Sequence, residues 1–249
     1  NELKTEFNVK ANRIINDNLA TGLFVYGTYN GFKSFDHLGN NGKGDGFRDY
    51  PAQTQINVAN RWNYEVHDGL CSQTLINYTH EDRLGGQMAF TKDMKGSDSI
   101  YGLGGTVDRV HFFTKNGAPI GNTSSFGTQL SATYFKQDAF YGLSNYEGVE
   151  TDVYANALVN TMVRGGHNVD FGASFRYTDL EENLYSTPYI GANQFISNLQ
   201  EGDLRANFIK EEIVPGVFGQ FNFIYDKIFV ATAGVRYDYN SHYNKHIIT

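Results

Sequence analysis

Hard oxygen donors are concentrated in one segment early in the chain, where carboxylates and amides are separated by glycines. Ca²⁺ takes about six to eight oxygen ligands in a flexible geometry, which such a segment can supply. One hypothesis is therefore a calcium site formed by Asp36, Asn40, Asp45 and Asp49. The spacing does not match an EF-hand loop, because Lys43 stands where a ligand would be needed. The alternative is a polar loop that closes over a ligand or is simply solvated.

A second segment, at residues 179–212, combines aromatic rings with amides. This mixture is typical of surfaces that stack on sugars or on flat metal chelates. We expect ligand contacts from five residues of this segment: Tyr185, Tyr189, Asn193, Gln194 and Phe195. Loops that bind proteins have a similar composition, so an adhesive surface is the alternative.

Residues that could carry catalysis lack the partners that catalysis needs. None of the seven histidines lies in a metal-ligand spacing such as H-E-x-x-H, and no G-x-S-x-G motif is present. The nearest approach to an acid–base cluster is His80-Glu81-Asp82, which we interpret as a solvated rim. The sequence therefore predicts a protein that is not an enzyme. A haem or chelated-iron role is left open for three histidines: His37, His242 and His246.

Composition excludes several classes of protein. With 20 Lys and Arg against 27 Asp and Glu, the net charge of -7 argues against a nucleic-acid partner. The single cysteine, Cys71, cannot form an internal disulfide or a cysteine-based zinc site. No apolar run approaches the roughly 18 residues of a transmembrane helix, and the first residues do not resemble a signal peptide. An aromatic content of 15% with 27 glycines favours β-structure.

Alternation of apolar and polar residues predicts β-strands along nearly the whole chain. In one segment, for example, Val153 and Ala155 alternate with Asp152 and Asn156. Such segments give ten strands in five hairpins, with one hairpin turn at residues 116–119. The links between hairpins are longer and are predicted at residues 31–52, 82–105, 135–150 and 179–212. Short and long connections therefore alternate along the chain.

Long strands with all long loops at one end are the pattern of a transmembrane β-barrel. A soluble sandwich rarely combines strands of about a dozen residues with that arrangement of loops. In a barrel, apolar residues face lipid, polar residues face the lumen, and surplus aromatics form girdles at the interfaces. The sequence thus predicts an all-β, antiparallel transmembrane barrel with short periplasmic turns and long extracellular loops, in contact with outer-membrane lipid. A soluble β-structure is the alternative.

Two pairs of segments carry a resemblance to a known family. The first pair is Glu212-Ile-Val-Pro-Gly-Val-Phe-Gly-Gln-Phe221 and Ala233-Gly-Val-Arg-Tyr-Asp-Tyr239. The second pair is Gly44-Asp-Gly-Phe-Arg-Asp-Tyr-Pro51 and Asn60-Arg-Trp-Asn-Tyr64. The first pair resembles a strand signature in the barrel of TonB-dependent outer-membrane receptors. The second is similar to the Bacteroidetes-type members of that family.

This resemblance implies a barrel of about 22 strands around a plug domain. Residues 1–249 would all belong to the barrel domain, as about ten of its strands, and the plug and TonB box would lie outside them. The implied function is uptake of a scarce, bulky nutrient such as a ferric siderophore, haem or cobalamin across a Gram-negative outer membrane. The implied partners are the TonB complex, a small metal chelate and a surface lipoprotein. The competing hypothesis is a complete small barrel that acts as an enzyme or an adhesin.

Arg236 and Asp238, within the first pair of segments, share one face of one strand. An arginine on the lipid face would cost about 2–4 kcal/mol near the bilayer midplane. We therefore expect both side chains to face the lumen, where they are solvated or paired and serve barrel construction.

Overall fold

The computed structural model describes residues 4–31, 35–37, 43–67, 69–186, 204–225 and 229–249. Within these residues it is one antiparallel sheet of eleven strands, in which each strand pairs with its neighbours in sequence. The strands are β1 (Thr5–Asn16), β2 (Leu19–Asn30), β3 (Ala52–Glu65), β4 (Cys71–Gly86), β5 (Gly102–Ile120), β6 (Ser124–Tyr141), β7 (Ser144–Val163), β8 (His167–Ser186), β9 (Leu204–Tyr225), β10 (Phe229–Asn240) and β11 (Lys245–Ile248). A 3₁₀ turn at Lys92–Met94 lies between β4 and β5. No helix in the described ranges is long and apolar enough to cross a membrane.

The all-β, antiparallel prediction is confirmed, and the number of strands is eleven rather than ten. The additional strand is β11, whose four residues pair with the end of β10 from Tyr237 to Asn240. Four residues are too few to show a convincing alternation, so the sequence pattern did not reveal this strand.

The predicted hairpin turn at residues 116–119 is wrong, because β5 continues through it to Ile120. The side chain of Asn116 is held from both neighbouring strands. Ser72 Oγ donates to Asn116 Oδ1 at 2.6 Å, and Asn116 Nδ2 donates to Thr128 Oγ1 at 3.3 Å. The turn comes at Gly121, which has the positive φ of 65° that a glycine adopts readily.

The long link predicted at residues 135–150 is also wrong. Strands β6 and β7 stay in register up to Tyr141 and Ser144, and only Gly142 and Leu143 form the turn. The polar residues that suggested a loop include Lys136 and Asp138, which form an ion pair on the same face of β6 as the buried Phe140, so the apolar alternation is lost here. Short and long connections therefore do not alternate at this hairpin. The links predicted at 82–105 and 179–212 are likewise shortened by extended strands.

Register separates the side chains onto two faces, because directly paired residues share a face. One row joins Val58, Tyr78, Val110 and Tyr134 across β3 to β6, and all four are apolar or aromatic. We call the face that contains this row the apolar face. Its large side chains are exposed along most strands, at Val9, Leu23, Ile76, Val110, Phe126, Leu130, Phe171, Phe175, Val217, Phe221 and Val235. An exposed apolar band of this extent is typical of a sheet that faces lipid.

Tyrosines and charges mark one end of the apolar band. Three tyrosines of the apolar face lie within neighbouring rows of the register: Tyr78, Tyr134 and Tyr177. Two residues farther along each strand, on the same face, come His80, Lys136 and Asp179. Aromatic girdles flank the apolar band of membrane barrels, and charges follow outside them. The row of tyrosines followed by charges has the arrangement of such a girdle.

Strands β7 and β8 have 20 residues each. At about 3.3 Å per residue and a tilt of about 40°, each would span roughly 50 Å, whereas the apolar band of a barrel is about 25 Å tall. About half of each long strand therefore projects beyond the tyrosines, at the end that carries the long links.

The most deeply buried apolar cluster lies at this projecting end. Phe90, in the link after β4, is only 1% exposed, and Ala139 and Phe140 of β6 are 5% and 6% exposed. The rings of Phe90 and Phe140 are 5.8 Å apart. A Cβ on Gly102 would lie 2.2 Å from the Phe90 ring, so the glycine provides the space that this ring occupies.

Candidate functional site

The face opposite the apolar face is polar, and its densest network lies on β8 to β10. Arg236 Nε and Nη2 donate to the two oxygens of Asp238 at 2.6 and 2.7 Å, and Nη2 also donates to Ser174 Oγ at 2.8 Å. The guanidinium lies 5.8 Å from the centre of the Phe218 ring. The pair lies over Gly216, where a Cβ would be 2.0 Å from Asp238 Oδ1. Glycine at this position is what allows the pair to form.

A second ion pair lies on the same face nearer the projecting end. Arg176 Nε donates to Asp152 Oδ2 at 2.7 Å, and Thr178 Oγ1 donates to the same oxygen at 2.9 Å. Asp152, Arg176 and Arg236 line one open depression of about 500 Å³ together with Tyr154. The charged side chains that line this depression already form ion pairs. The depression can therefore form directed hydrogen bonds to a ligand without leaving a charge unpaired.

Amides surround a lone carboxylate on the same face nearer the hairpin turns. Asn222 Nδ2 donates to Asp170 Oδ2 at 3.0 Å, and Asn160 Nδ2 donates to Asp170 Oδ1. Thr232 Oγ1 extends the network by donating to Asn222 Oδ1 at 2.8 Å. Together with the ion pairs, these bonds form a wetted, hydrogen-bonding wall of the kind that lines a barrel lumen.

The structure places Arg236 and Asp238 together and paired on the polar face. Tyr185, by contrast, lies on the apolar face. Tyr185 pairs across strands with Asn145 and Arg205, which assigns it to the same side of β8 as Tyr177. The Arg205 guanidinium lies 5.2 Å from the centre of the Tyr185 ring.

The other expected ligand contacts lie outside the described residues: Tyr189, Asn193, Gln194 and Phe195. Ligand contact by this set of five therefore stays a prediction.

The carboxylates of the expected calcium loop hold backbone amides. Asp36 accepts the N–H groups of Asp45 and Gly46 at 2.7 and 2.8 Å. Asp49 Oδ2 accepts the N–H of His37 at 2.7 Å. These bonds stabilise the loop itself. Asn40 lies outside the described residues, and within them no group of three or more His, Cys, Asp or Glu could hold a metal ion. Calcium binding stays a prediction.

The residues of the His80-Glu81-Asp82 run do not act together, because Glu81 lies on the face opposite to His80 and Asp82, and these two side chains have different partners. His80 Nδ1 lies 2.9 Å from Asp108 Oδ1, and the Tyr78 hydroxyl donates to the same oxygen at 2.8 Å. These two bonds lower the pKa of Asp108. Asp82 pairs instead with Lys92.

The sequence pattern did not reveal that two of the links are hydrogen-bonded to each other, a contact that we call the joint. Phe47 and Gln87 form a β-bridge, and the Arg48 N–H donates to Gly86 O at 2.9 Å. Arg48 Nη2 donates to the backbone oxygen of Phe90 at 2.6 Å. The joint fixes the link after β2 to the link after β4. The sequence feature that could have indicated close packing of this link is the run Gly102-Leu-Gly-Gly105, because Gly102 leaves room for the ring of Phe90 and Gly104 for the ring of Phe140.

No protein-family model matches the sequence, and no curated protein matches it. Solved structures do match. The siderophore receptor PiuA from Acinetobacter baumannii is 10% identical with a TM-score of 0.65, covering 95% of this chain and 40% of PiuA. The pyoverdine-bound FpvA of P. aeruginosa is 11% identical with a TM-score of 0.65, covering 99% and 36%.

The ferric-catecholate import receptor Fiu from E. coli K12, in its closed form, is 14% identical with a TM-score of 0.60. The match covers 95% of this chain and 39% of Fiu. This chain therefore spans less than half the length of the receptors that it matches. At these identities the likeness concerns the fold. The described part of the chain has the fold of a portion of the β-barrel of outer-membrane siderophore receptors.

Proposed function

We propose that the chain is the barrel portion of a TonB-dependent receptor that imports a ferric siderophore across a Gram-negative outer membrane. The observation that carries the proposal is the match to siderophore receptors over 95–99% of the chain at TM-scores of 0.60–0.65. Haem and cobalamin are the alternative cargoes. Assignment to the Bacteroidetes-type members stays a prediction.

The residues behind the family resemblance form a physical unit, which supports the proposal. Gly216 comes from the first quoted segment, and Arg236 and Asp238 come from its partner segment. These three residues meet across β9 and β10, where the glycine makes room for the ion pair. A spacing that resembles a family signature therefore corresponds to one contact on the polar face.

The two faces suggest a division of labour. The apolar face would lie in outer-membrane lipid, and the polar face would line the lumen around a plug. The projecting halves of the long strands would carry the loops that capture the ligand. Coupling to the TonB complex through the plug and capping by a surface lipoprotein are part of the proposal.

The test uses the full-length protein in its own outer membrane. Deletion of the gene should abolish uptake of at least one radiolabelled ferric siderophore under iron limitation, and uptake should require the TonB system. The panel should contain catecholate and pyoverdine-type chelates, haem and cobalamin. Uptake of haem or cobalamin alone would replace the siderophore as cargo. Unchanged uptake of every compound, with no binding to the purified protein, would leave the adhesin or enzyme hypothesis in its place.

The expected ligand contacts can be tested in the same assay. Alanine at Tyr185, Tyr189 and Phe195 should weaken siderophore binding without changing the amount of folded receptor. Alanine at Tyr243, an exposed tyrosine in the turn between β10 and β11, is the matched control. Equal losses in the test variants and the control would contradict the assignment.

The calcium hypothesis has its own test. Calorimetry on the purified receptor should detect Ca²⁺ binding that a paired Asp45→Ala and Asp49→Ala variant abolishes. Absence of that binding in the unmodified receptor would remove the hypothesis and leave a loop stabilised by its own backbone bonds.

A further inference from the structure

A second depression lies at the projecting end of the sheet, between the link after β4 and the β6–β7 turn. Its volume is about 420 Å³. Tyr141, Ser144 and Ser186 lie side by side in one row of the register and line it from the strands. Tyr101 lines it from the link. We call this depression the rim pocket.

Two tyrosines give the rim pocket aromatic surface. Tyr101 is 44% exposed and Tyr141 is 53% exposed. A Cβ on Gly142 would lie 3.1 Å from the Tyr101 ring, so this ring lies against the tight turn. The Gly142 N–H donates to Gly102 O at 2.7 Å, which holds the turn and the link together. The tyrosines are therefore presented on a hydrogen-bonded frame.

Hydroxyl groups supply most of the polar lining. Ser144 Oγ and Ser186 Oγ share a hydrogen bond of 2.7 Å, and Ser97 Oγ and Ser99 Oγ share one of 3.0 Å. A hydroxyl has one donor and two acceptor sites, so each pair retains capacity for a ligand. Ser97 Oγ also accepts the N–H groups of Ser99 and Ile100 at 3.3 and 3.4 Å, so the remaining capacity of that pair lies on Ser99 Oγ.

The charge of the rim pocket restricts its ligand. Asp98 is the charged residue that lines it, and no lysine, arginine or histidine lines it among the residues with described positions. An anionic ligand would meet a carboxylate without a compensating cation. The pocket therefore favours a neutral ligand that has hydroxyl groups and a flat apolar face.

We infer that the rim pocket binds a sugar ring. A pyranose presents C–H groups on one face, which pack on aromatic rings, and hydroxyls at its edge, which match the serines and Asp98. A volume of about 420 Å³ falls in the range of small-molecule sites, about 300–1,000 Å³, and suits one sugar ring with its substituents. The inference is independent of the proposed import of a siderophore.

The experiment is saturation-transfer NMR on the full-length receptor with the methyl glycosides of glucose, galactose and mannose. The detergent must carry no sugar headgroup, so lauryldimethylamine oxide replaces alkyl maltosides. We expect saturation transfer from the receptor to at least one glycoside. Tyr141→Ala should weaken binding about tenfold, and Tyr141→Phe, which keeps the ring, should retain most of it. Tyr50→Ala, at an exposed tyrosine outside the pocket, is the matched control.

Ser144→Ala provides a second variant that leaves the ring in place and should also weaken binding. No transfer to any glycoside, or equal transfer in both pocket variants and the unmodified receptor, overturns the inference. Siderophore uptake measured on Tyr141→Ala separates the two proposals, because it should be retained when sugar binding is lost. If a lipopolysaccharide core oligosaccharide binds more tightly than the glycosides, the sugar that occupies the rim pocket comes from a membrane glycolipid. The reverse order identifies a soluble saccharide.

Discussion

Substituting alanine for Gly216 is the most direct test of how the polar face is built. The added methyl group would lie 2.0 Å from Asp238 Oδ1 and 3.0 Å from Arg236 Nη2 and Ser174 Oγ. Of these, only the Asp238 contact is far below any tolerated distance, so the carboxylate must swing away. The two bonds from Arg236 to Asp238, at 2.6 and 2.7 Å, are then lost.

The size of the effect follows from the exposure of the pair. Hydrogen bonds to charged groups contribute about 1.5–3 kcal/mol when desolvated. The Arg236 side chain is 38% exposed, so screening by water reduces this contribution. Replacing glycine by alanine also restricts the unfolded chain and returns about 0.4–1 kcal/mol. We expect a net loss of about 1–2 kcal/mol in the free energy of unfolding.

The assay is urea unfolding of the full-length receptor in lipid vesicles, followed by the faster migration of folded barrels in unheated detergent gels. Gly219→Ala is the matched control, since it lies on the same strand and its Cβ would meet nothing closer than Asp170 O at 3.9 Å. The control should be neutral or slightly stabilising.

A double-mutant cycle decides whether the proposed cause is correct. In an Asp238→Ala background the carboxylate is absent, so Gly216→Ala should cost nothing further. An equal cost in both backgrounds would refute the steric reasoning, because the damage would then come from the backbone of β9 rather than from the displaced ion pair.

Three further outcomes are expected. Phe90→Ala should destabilise the link after β4 by about 3 kcal/mol or more, detected as faster hydrogen exchange there with little change in the transmembrane strands. The Tyr146 hydroxyl donates to Glu182 at 2.6 Å, which raises the pKa of Tyr146 to about 12. Because the pKa is raised, the hydrogen bond from Tyr146 stabilises the folded receptor fully below about pH 10, and this stabilisation is lost as the pH rises through about 12. The difference in tyrosinate absorbance between the receptor and Tyr146→Phe, measured over this pH range, should show the raised pKa. Ala155→Arg should make the free energy of insertion into vesicles less favourable by about 2–4 kcal/mol, whereas Asn156→Arg, on the opposite face, should be tolerated. Equal effects of the two substitutions would contradict the assignment of the faces.

Strand-by-strand alternation made the fold predictable to a large extent. A residue such as Val153 belongs to the apolar face, so its type is set by its face, and the period of two is visible in the sequence. The prediction failed at residues 135–150, where the paired charges Lys136 and Asp138 share a face with the buried Phe140 and apolar alternation is lost. It also failed at Asn116, where a turn-forming residue is held in a strand by Ser72 and Thr128.

The candidate site was less predictable. The pairing of Arg236 with Asp238 could be expected, because residues two apart on a strand share a face. Their dependence on Gly216 could not be seen, because it requires the register of β9 on β10. The rim pocket could not be seen either, since Tyr101 and Ser186 are far apart in sequence and meet only through the order of the strands.

The sequence by itself determined the class of fold, the two-sided character of the strands and the absence of catalytic motifs, because each depends on residue type at short spacing. Only the tertiary structure decided which distant residues meet, since contacts across strands depend on register and on turns of two to five residues. A shift of one residue in register would move every side chain of a strand to the other face. The ion pair over Gly216, the buried Phe90 and the rim pocket are therefore properties of the paired sheet.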